Sequence, residues 1–145
     1  MIGVVLLSLE EGRDPSEAVR HATSLHRSSG VRVHLLNVRT PLPSYVTRFI
    51  AKGEVHQFYQ DCGMAVLKPA MEALDAAGVP HREHVLIGPK AETIAGFARD
   101  LQCTHIIVPS GSGGLLPDLG LNLGSIGTQL RHLIGAGGCQ ISEVR

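Results

Sequence analysis

The segment Ile2–Leu9 is an almost unbroken apolar run that stops at Glu10-Glu11. A strand with one wet face alternates apolar and polar residues, whereas a parallel strand covered by helices on both faces is apolar throughout. The run therefore predicts a central, doubly covered strand. It has no basic segment before it and spans about half the length of a bilayer-crossing helix, so neither a membrane span nor a secretory leader is expected. Cys62, Cys103 and Cys139 are odd in number, widely spaced and form no C-x-x-C pair. That pattern points to reduced thiols and a cytoplasmic location.

The rest of the chain alternates in the same style. Asp14-Pro15-Ser16-Glu17 offers an Asp cap, a Pro at the first helical position and a Glu two residues on, so a helix is expected up to Gly30. Val31–Val38 reads as the second strand, and Thr40–Ser44 breaks the chain before a long helical stretch over 45–77, with Gly53 and Gly63 expected to interrupt it. Gly78 and Pro80 stop that stretch, and His81–Ile87 reads as strand three. A helix over 91–101, a strand over 105–108, a helix over 125–134 and a strand over 139–144 complete the chain. With 145 residues, 43% of them hydrophobic, one domain over 1–145 is expected. Strands alternating with helices require right-handed crossovers, hence an α/β fold with a parallel sheet and helices on both faces.

Composition removes some function classes. Lys plus Arg and Asp plus Glu both number 13, so no net field draws the chain to nucleic acid or to an anionic membrane. Aromatic residues make up 3% and Trp is absent, which leaves little to stack on bases.

One loop carries chemistry. After the apolar strand His105–Val108 come Gly111-Ser112-Gly113-Gly114, nine residues, and Gly124-Ser125, a G-x2-G-x9-G-S spacing. Glycines at 111, 113, 114 and 124 let backbone N–H groups approach an anion closely, and Ser125 adds a hydroxyl at the start of a helix. The implied chemistry is phosphate cradling.

This spacing, with the opening strand, the strand over 31–38 and the turn Gly88-Pro89-Lys90-Ala91-Glu92-Thr93-Ile94, resembles the ATP-binding branch of the universal stress protein family over essentially all 145 residues. The resemblance implies a flavodoxin-like, Rossmann-like open sheet of order 3-2-1-4-5, whose switch point between strands one and four holds the ligand. It further implies ATP with Mg²⁺ as ligand and a homodimer joined through the C-terminal strand, in a stress-response or regulatory protein rather than a fast enzyme. By the same resemblance the adenine lies near the backbone of Val38, and Ile126-Gly127 continue the phosphate-facing turn. Slow ATP hydrolysis or autophosphorylation is the most the family implies, and no residue here is assigned a catalytic role.

The chain departs from the family pattern in three ways. Ser8 stands where ATP-binding members usually carry an Asp. Pro109-Ser110 adds a residue before Gly111, so that Ser110 takes the first glycine's place if the loop is shifted by one. No Lys or Arg lies between His105 and Gln129, and Asp118 sits in the loop itself. Phosphate charge then falls to backbone dipoles, Mg²⁺ and Arg131 or Lys90. The alternative these departures leave open is a nucleotide-free dimeric interaction module with a vestigial loop. An ATP-pyrophosphatase-like enzyme would need its glycine loop after strand one, where Ser8–Gly12 offers none.

Eight histidines raise the question of a metal. His81 and His84 point to opposite faces of a strand, His21 and His26 lie about 140° apart on a helix, and His34 and His105 stand alone in strands. No metal site is expected, because Zn²⁺ needs three or four convergent ligands. Cys103 and Cys139 sit in apolar company and read as inert thiols. No G-x-S-x-G elbow is present.

Overall fold

The computed structural model describes residues 3–110, 115–116, 121–122, 125–135 and 138–144. In chain order it holds β1 (Val4–Ser8), α1 (Ser16–Ser29), β2 (Arg32–Arg39), α2 (Ser44–Thr47), α3 (Lys52–Ala76), β3 (His81–Ile87), α4 (Lys90–Leu101) and β4 (His105–Pro109). Next come the short β5 (Leu115–Leu116) and β6 (Leu121–Asn122), then α5 (Ile126–Ile134) and β7 (Gln140–Val144). The main sheet is parallel with order β3-β2-β1-β4-β7, the 3-2-1-4-5 arrangement of the flavodoxin-like fold. β5 and β6 pair antiparallel, Leu115 opposite Asn122, within the stretch that reads as loop from sequence.

β1 is central and its side chains alternate between two helical layers. Val5 and Leu7 join Val33, Leu35, Val19, Leu67 and Leu74 under α1 and α3, while Leu6 joins Leu36, Ile106, Ile94 and Leu130 under α4 and α5. Each of these fully buried aliphatics contributes about 1.5–3 kcal/mol relative to leaving it in water. The first crossover starts one residue later than the sequence suggests: α1 begins at Ser16, Pro15 takes the cap position, and the Asp14 carboxylate accepts from the Ser16 amide at 3.0 Å and the Ser16 hydroxyl at 2.7 Å. Glu17 pairs with Arg20 one turn on. Gly30, at φ 69°, ends α1 by donating its N–H to His26 O at 2.8 Å.

The stretch over 45–77 differs most from expectation. It divides into α2 and α3, and the break falls at Arg48–Ala51 rather than at a glycine. Gly53 lies in the first turn of α3, and both Gly63 and Pro69 lie inside α3 without ending it. Gly63 serves tertiary packing: a Cβ there would sit 2.5 Å from both Cγ atoms of Val85 on β3. The glycine lets α3 settle directly on the sheet.

His34 and His84 are not solitary. β2 and β3 align so that His34 Nδ1 lies 2.9 Å from His84 Nε2, the rings stack at 5.1 Å, and Phe97 of α4 presents its edge to His84 at 4.6 Å. Both imidazoles are held below their ordinary value of 6.5, first by burial; for His34 the neighbours His84, Arg82 and Arg32 add to the effect, and for His84 Glu83 partly opposes it. Cys103 and Cys139 pack into the α4–α5 layer, where burial first and the neighbouring Cys139 second push the Cys103 thiol up to about 12. That suits an unreactive thiol.

Two outcomes follow. Gly63→Ala should lower stability by about 1–3 kcal/mol, the usual cost of overpacking, and adding Val85→Ala should return part of it; additive losses in urea titrations would contradict the close approach. For the histidine pair, the folded state resists protonation, so stability is complete above pH 6.5 and falls as pH drops below it, where only the unfolded chain gains protons. Urea midpoints should decline from pH 7 to pH 5, and His84→Phe should flatten that decline.

Candidate functional site

At the carboxyl ends of β1 and β2 the sheet opens into a cleft of about 360 Å³. Its position follows from topology. The crossovers α1 and α3 lie on one face and α4 and α5 on the other, so chains leaving β1 and β4 part company, and the cleft lies on the β2 side of that divide, tied to the end of β4 through Arg13 and Ser110. β1 and the turn after it contribute Ser8, Leu9, Glu10, Glu11 and Arg13; the end of β2 contributes Asn37, Val38, Arg39 and Thr40; α4 contributes Lys90.

The buried Asn37 sets one wall. Its amide donates to the Leu9 carbonyl at 2.9 Å, and Leu9 in turn donates its N–H to Leu36 O at 2.9 Å. Because a carbonyl only accepts, the Asn37 nitrogen must face Leu9. Its Oδ1 is buried and has no hydrogen-bond partner among the described residues. These bonds pin the start of the β1–α1 turn to β2 and carry Glu10, Glu11 and Arg13 to the cleft mouth.

Charge reaches the cleft from three separate elements. Lys90 forms an ion pair with Glu10, Arg39 lies 3.8 Å from Glu11, and Arg13 donates to the Ser110 carbonyl at 2.6 Å. The last bond connects the cleft to the end of β4, where the glycine loop begins. Lys90 occupies the first turn of α4, where a cation opposes the helix dipole, and the Glu10 carboxylate offsets it. The Lys90–Glu10 pair is only partly wet, with side chains 35% and 14% exposed, whereas Glu11 is 78% exposed. Lys90 was expected from sequence as one source of charge; Arg13 and Arg39 were not. No local signal marks them, since only the pairing of β1 with β2 brings them together.

The expected site residues divide into groups. Ser8, 3% exposed, and Val38 line the cleft. Ser110 stands beside it through Arg13, and its N–H is bound to Val144 O at 2.6 Å. Ser125 caps α5, its hydroxyl oxygen accepting from the Thr128 amide at 3.1 Å, so the side chain already serves the helix start. Ile126 points into the core, and Gly127 lies against β7, where a Cβ would come 2.5 Å from Glu143 Cδ. Any contact either makes with a ligand would come from its backbone. Arg131 lies 3.7 Å from Glu143 and donates to the Ile141 carbonyl at 3.3 Å, and it is not among the residues lining the cleft. Gly111, Gly114 and Gly124 lie outside the described residues. Among the described residues no group of three or more His, Cys, Asp or Glu converges as a metal site, and no helix is long and apolar enough to cross a membrane.

Comparison with known proteins agrees with the fold. The universal stress protein family model matches residues 1–133, and the chain belongs to that family. Among solved structures, a universal stress protein in complex with cAMP aligns with a TM-score of 0.68 at 17% identity, covering 99% of this chain and 97% of that one. One from Archaeoglobus fulgidus in complex with dAMP aligns at 0.62 and 18% identity, covering 98% of each chain. One from Arabidopsis thaliana with AMP bound aligns at 0.63 and 15% identity, covering 98% of this chain and 90% of that one. Among curated protein sequences, none matches.

Proposed function

We propose that this universal stress protein family member binds an adenine nucleotide in the cleft at the ends of β1 and β2, as a cytoplasmic, homodimeric regulatory protein formed by one domain over 1–145. The observation that carries the reading is the cleft itself, a crevice of about 360 Å³ at the carboxyl ends of β1 and β2 in a parallel sheet, edged by Arg13, Arg39 and Lys90. The base is assigned to the Val38 side, and the phosphates to the backbone of Gly111, Gly114 and Gly124 with Ser110, Ser125, Ile126 and Gly127 behind them. Relatives of the same fold hold cAMP, dAMP and AMP, which supports the adenine choice. ATP is the proposed physiological ligand. Mg²⁺ would come with it, held by phosphate oxygens and one or two carboxylates, and Glu11 is the freer of the two the cleft offers. Ser8 supplies no charge to the nucleoside, which favours the second reading, a nucleotide-free dimeric interaction module.

AMP or MgATP at a hundredfold excess over Kd should raise the melting temperature by about 5–10 °C, since about 2.7 kcal/mol of linkage spreads over a domain of this size. Gly124→Val should abolish the phosphate-dependent part of that rise. An undiminished shift in the variant would remove the loop from the site; no shift with any adenine nucleotide would leave the interaction module.

Assembly has its own test. Gln140 N–H bonds Thr104 O and Val144 O accepts from Ser110, so these residues face β4, and strand alternation turns the N–H groups of Ile141 and Glu143 to the other edge. An open edge of this kind pairs readily with a second copy. Glu143→Pro removes one outward donor and spares the β4 ladder, so sedimentation velocity should show the dimer weakened or lost. A fully dimeric variant would place the interface elsewhere.

A further inference from the structure

Anions that enter the cleft meet cations already engaged. The carboxylate of Glu10 is paired with Lys90, that of Glu11 lies 3.8 Å from Arg39, and both acids come from the β1–α1 turn while their partners come from α4 and β2. We propose that Lys90, assisted by Arg39, is the phosphate anchor of this cleft, and that Glu10 is a built-in competitor which a bound phosphate displaces from it. The inference rests on the nucleotide reading above and adds to it the residues that receive the charge.

Three features of the molecule lead there. The glycine loop supplies no side-chain cation, because no Lys or Arg lies between His105 and Gln129. The cleft supplies three, against two carboxylates, an excess of one positive charge among its lining residues. Of the two acids, Glu10 is the one that matters: its side chain is 14% exposed beside a Lys90 that is 35% exposed, so water screens this pair far less than it screens Glu11, which is 78% exposed.

Lys90 carries three N–H donors, so a phosphate oxygen can reach it while Glu10 is still near. Two anions on one cation repel, however, and a phosphate monoester carries about −1.5 to −2 charges at neutral pH. The incoming group therefore takes over Lys90, and the Glu10 side chain turns toward solvent while its backbone stays held next to Leu9. The neutral nucleoside makes no such demand. Affinity for the phosphate part of the ligand is thus reduced by the carboxylate that the free protein uses to balance its own charge.

The test uses calorimetric titration of the full chain with adenosine, AMP and inorganic tripolyphosphate. Glu10→Gln should tighten AMP by about threefold to fivefold, the scale of a partly exposed ion pair, tighten tripolyphosphate at least as much, and leave adenosine unchanged. Lys90→Gln should weaken AMP and tripolyphosphate, with Lys90→Arg restoring them; thermal melts confirm that each variant is folded. Equal AMP and tripolyphosphate affinity in wild type, Glu10→Gln and Lys90→Gln would overturn the anchor and leave the nucleotide reading intact. A Glu10→Gln effect that is equally large with adenosine would also overturn it, since the carboxylate would then act on the nucleoside. Failure of both adenosine and AMP to bind wild type would end the nucleotide reading instead. In that case, tripolyphosphate that binds wild type, and binds Glu10→Gln more tightly, would still show a phosphate anchor at Lys90; tripolyphosphate that binds neither would end the anchor too.

Discussion

Leu6 and Leu7 are neighbours in sequence and point to opposite layers of helices, and neither touches water. Covering both faces of β1 requires helices on both sides, and each helix must return the chain to the same end of the sheet before the next parallel strand begins. From that requirement come the crossovers, the strand order and the crevice. α1 leaves β1 toward one face and α4 begins on the other, and at the carboxyl ends of β1 and β2 polar residues gather without entering the core.

What collects there is mostly charge held by other charge. The cleft balances Lys90 against Glu10 and Arg39 against Glu11, and it fastens Arg13 to a backbone carbonyl at the end of β4. A cleft built in this way has most of its charges already paired. Asn37 supports it from below by holding the Leu9 carbonyl, which fixes where the β1–α1 turn departs. The buried end of β2 and the turn after β1 are thereby coupled through Asn37, beside the Leu9–Leu36 backbone bond and the Arg39–Glu11 pair.

Two glycines show how differently the same residue is used. Gly30 ends a helix because its φ of 69° is open to it at little steric cost, a local property. Gly63 keeps ordinary helical geometry and is needed only because Val85 of β3 occupies the space a Cβ would fill. Reading Gly63 as an interruption of the helix is reasonable from propensity alone, since glycine in a helix interior costs about 1 kcal/mol relative to alanine. Close packing of α3 on the sheet outweighs that cost.

The alternation of apolar strands with helices is a property of neighbouring residues, so the order of the five main strands along the chain, the helices between them and the parallel sheet were legible in the sequence, while the β5–β6 pair and the division of α2 from α3 were not. Ser8 and Val38 could be picked out as positions in a pattern, and both line the cleft. The partnership of His34 with His84, fifty residues apart, and that of Glu10 with Lys90, eighty apart, could not be. Neither pair has a periodicity or a motif, because each is created by the register of one strand on the next and by where a crossover helix begins. Local preferences are set by a residue and its near neighbours; electrostatic partners are set by distances of a few ångströms across the fold, and only the packed sheet determines those.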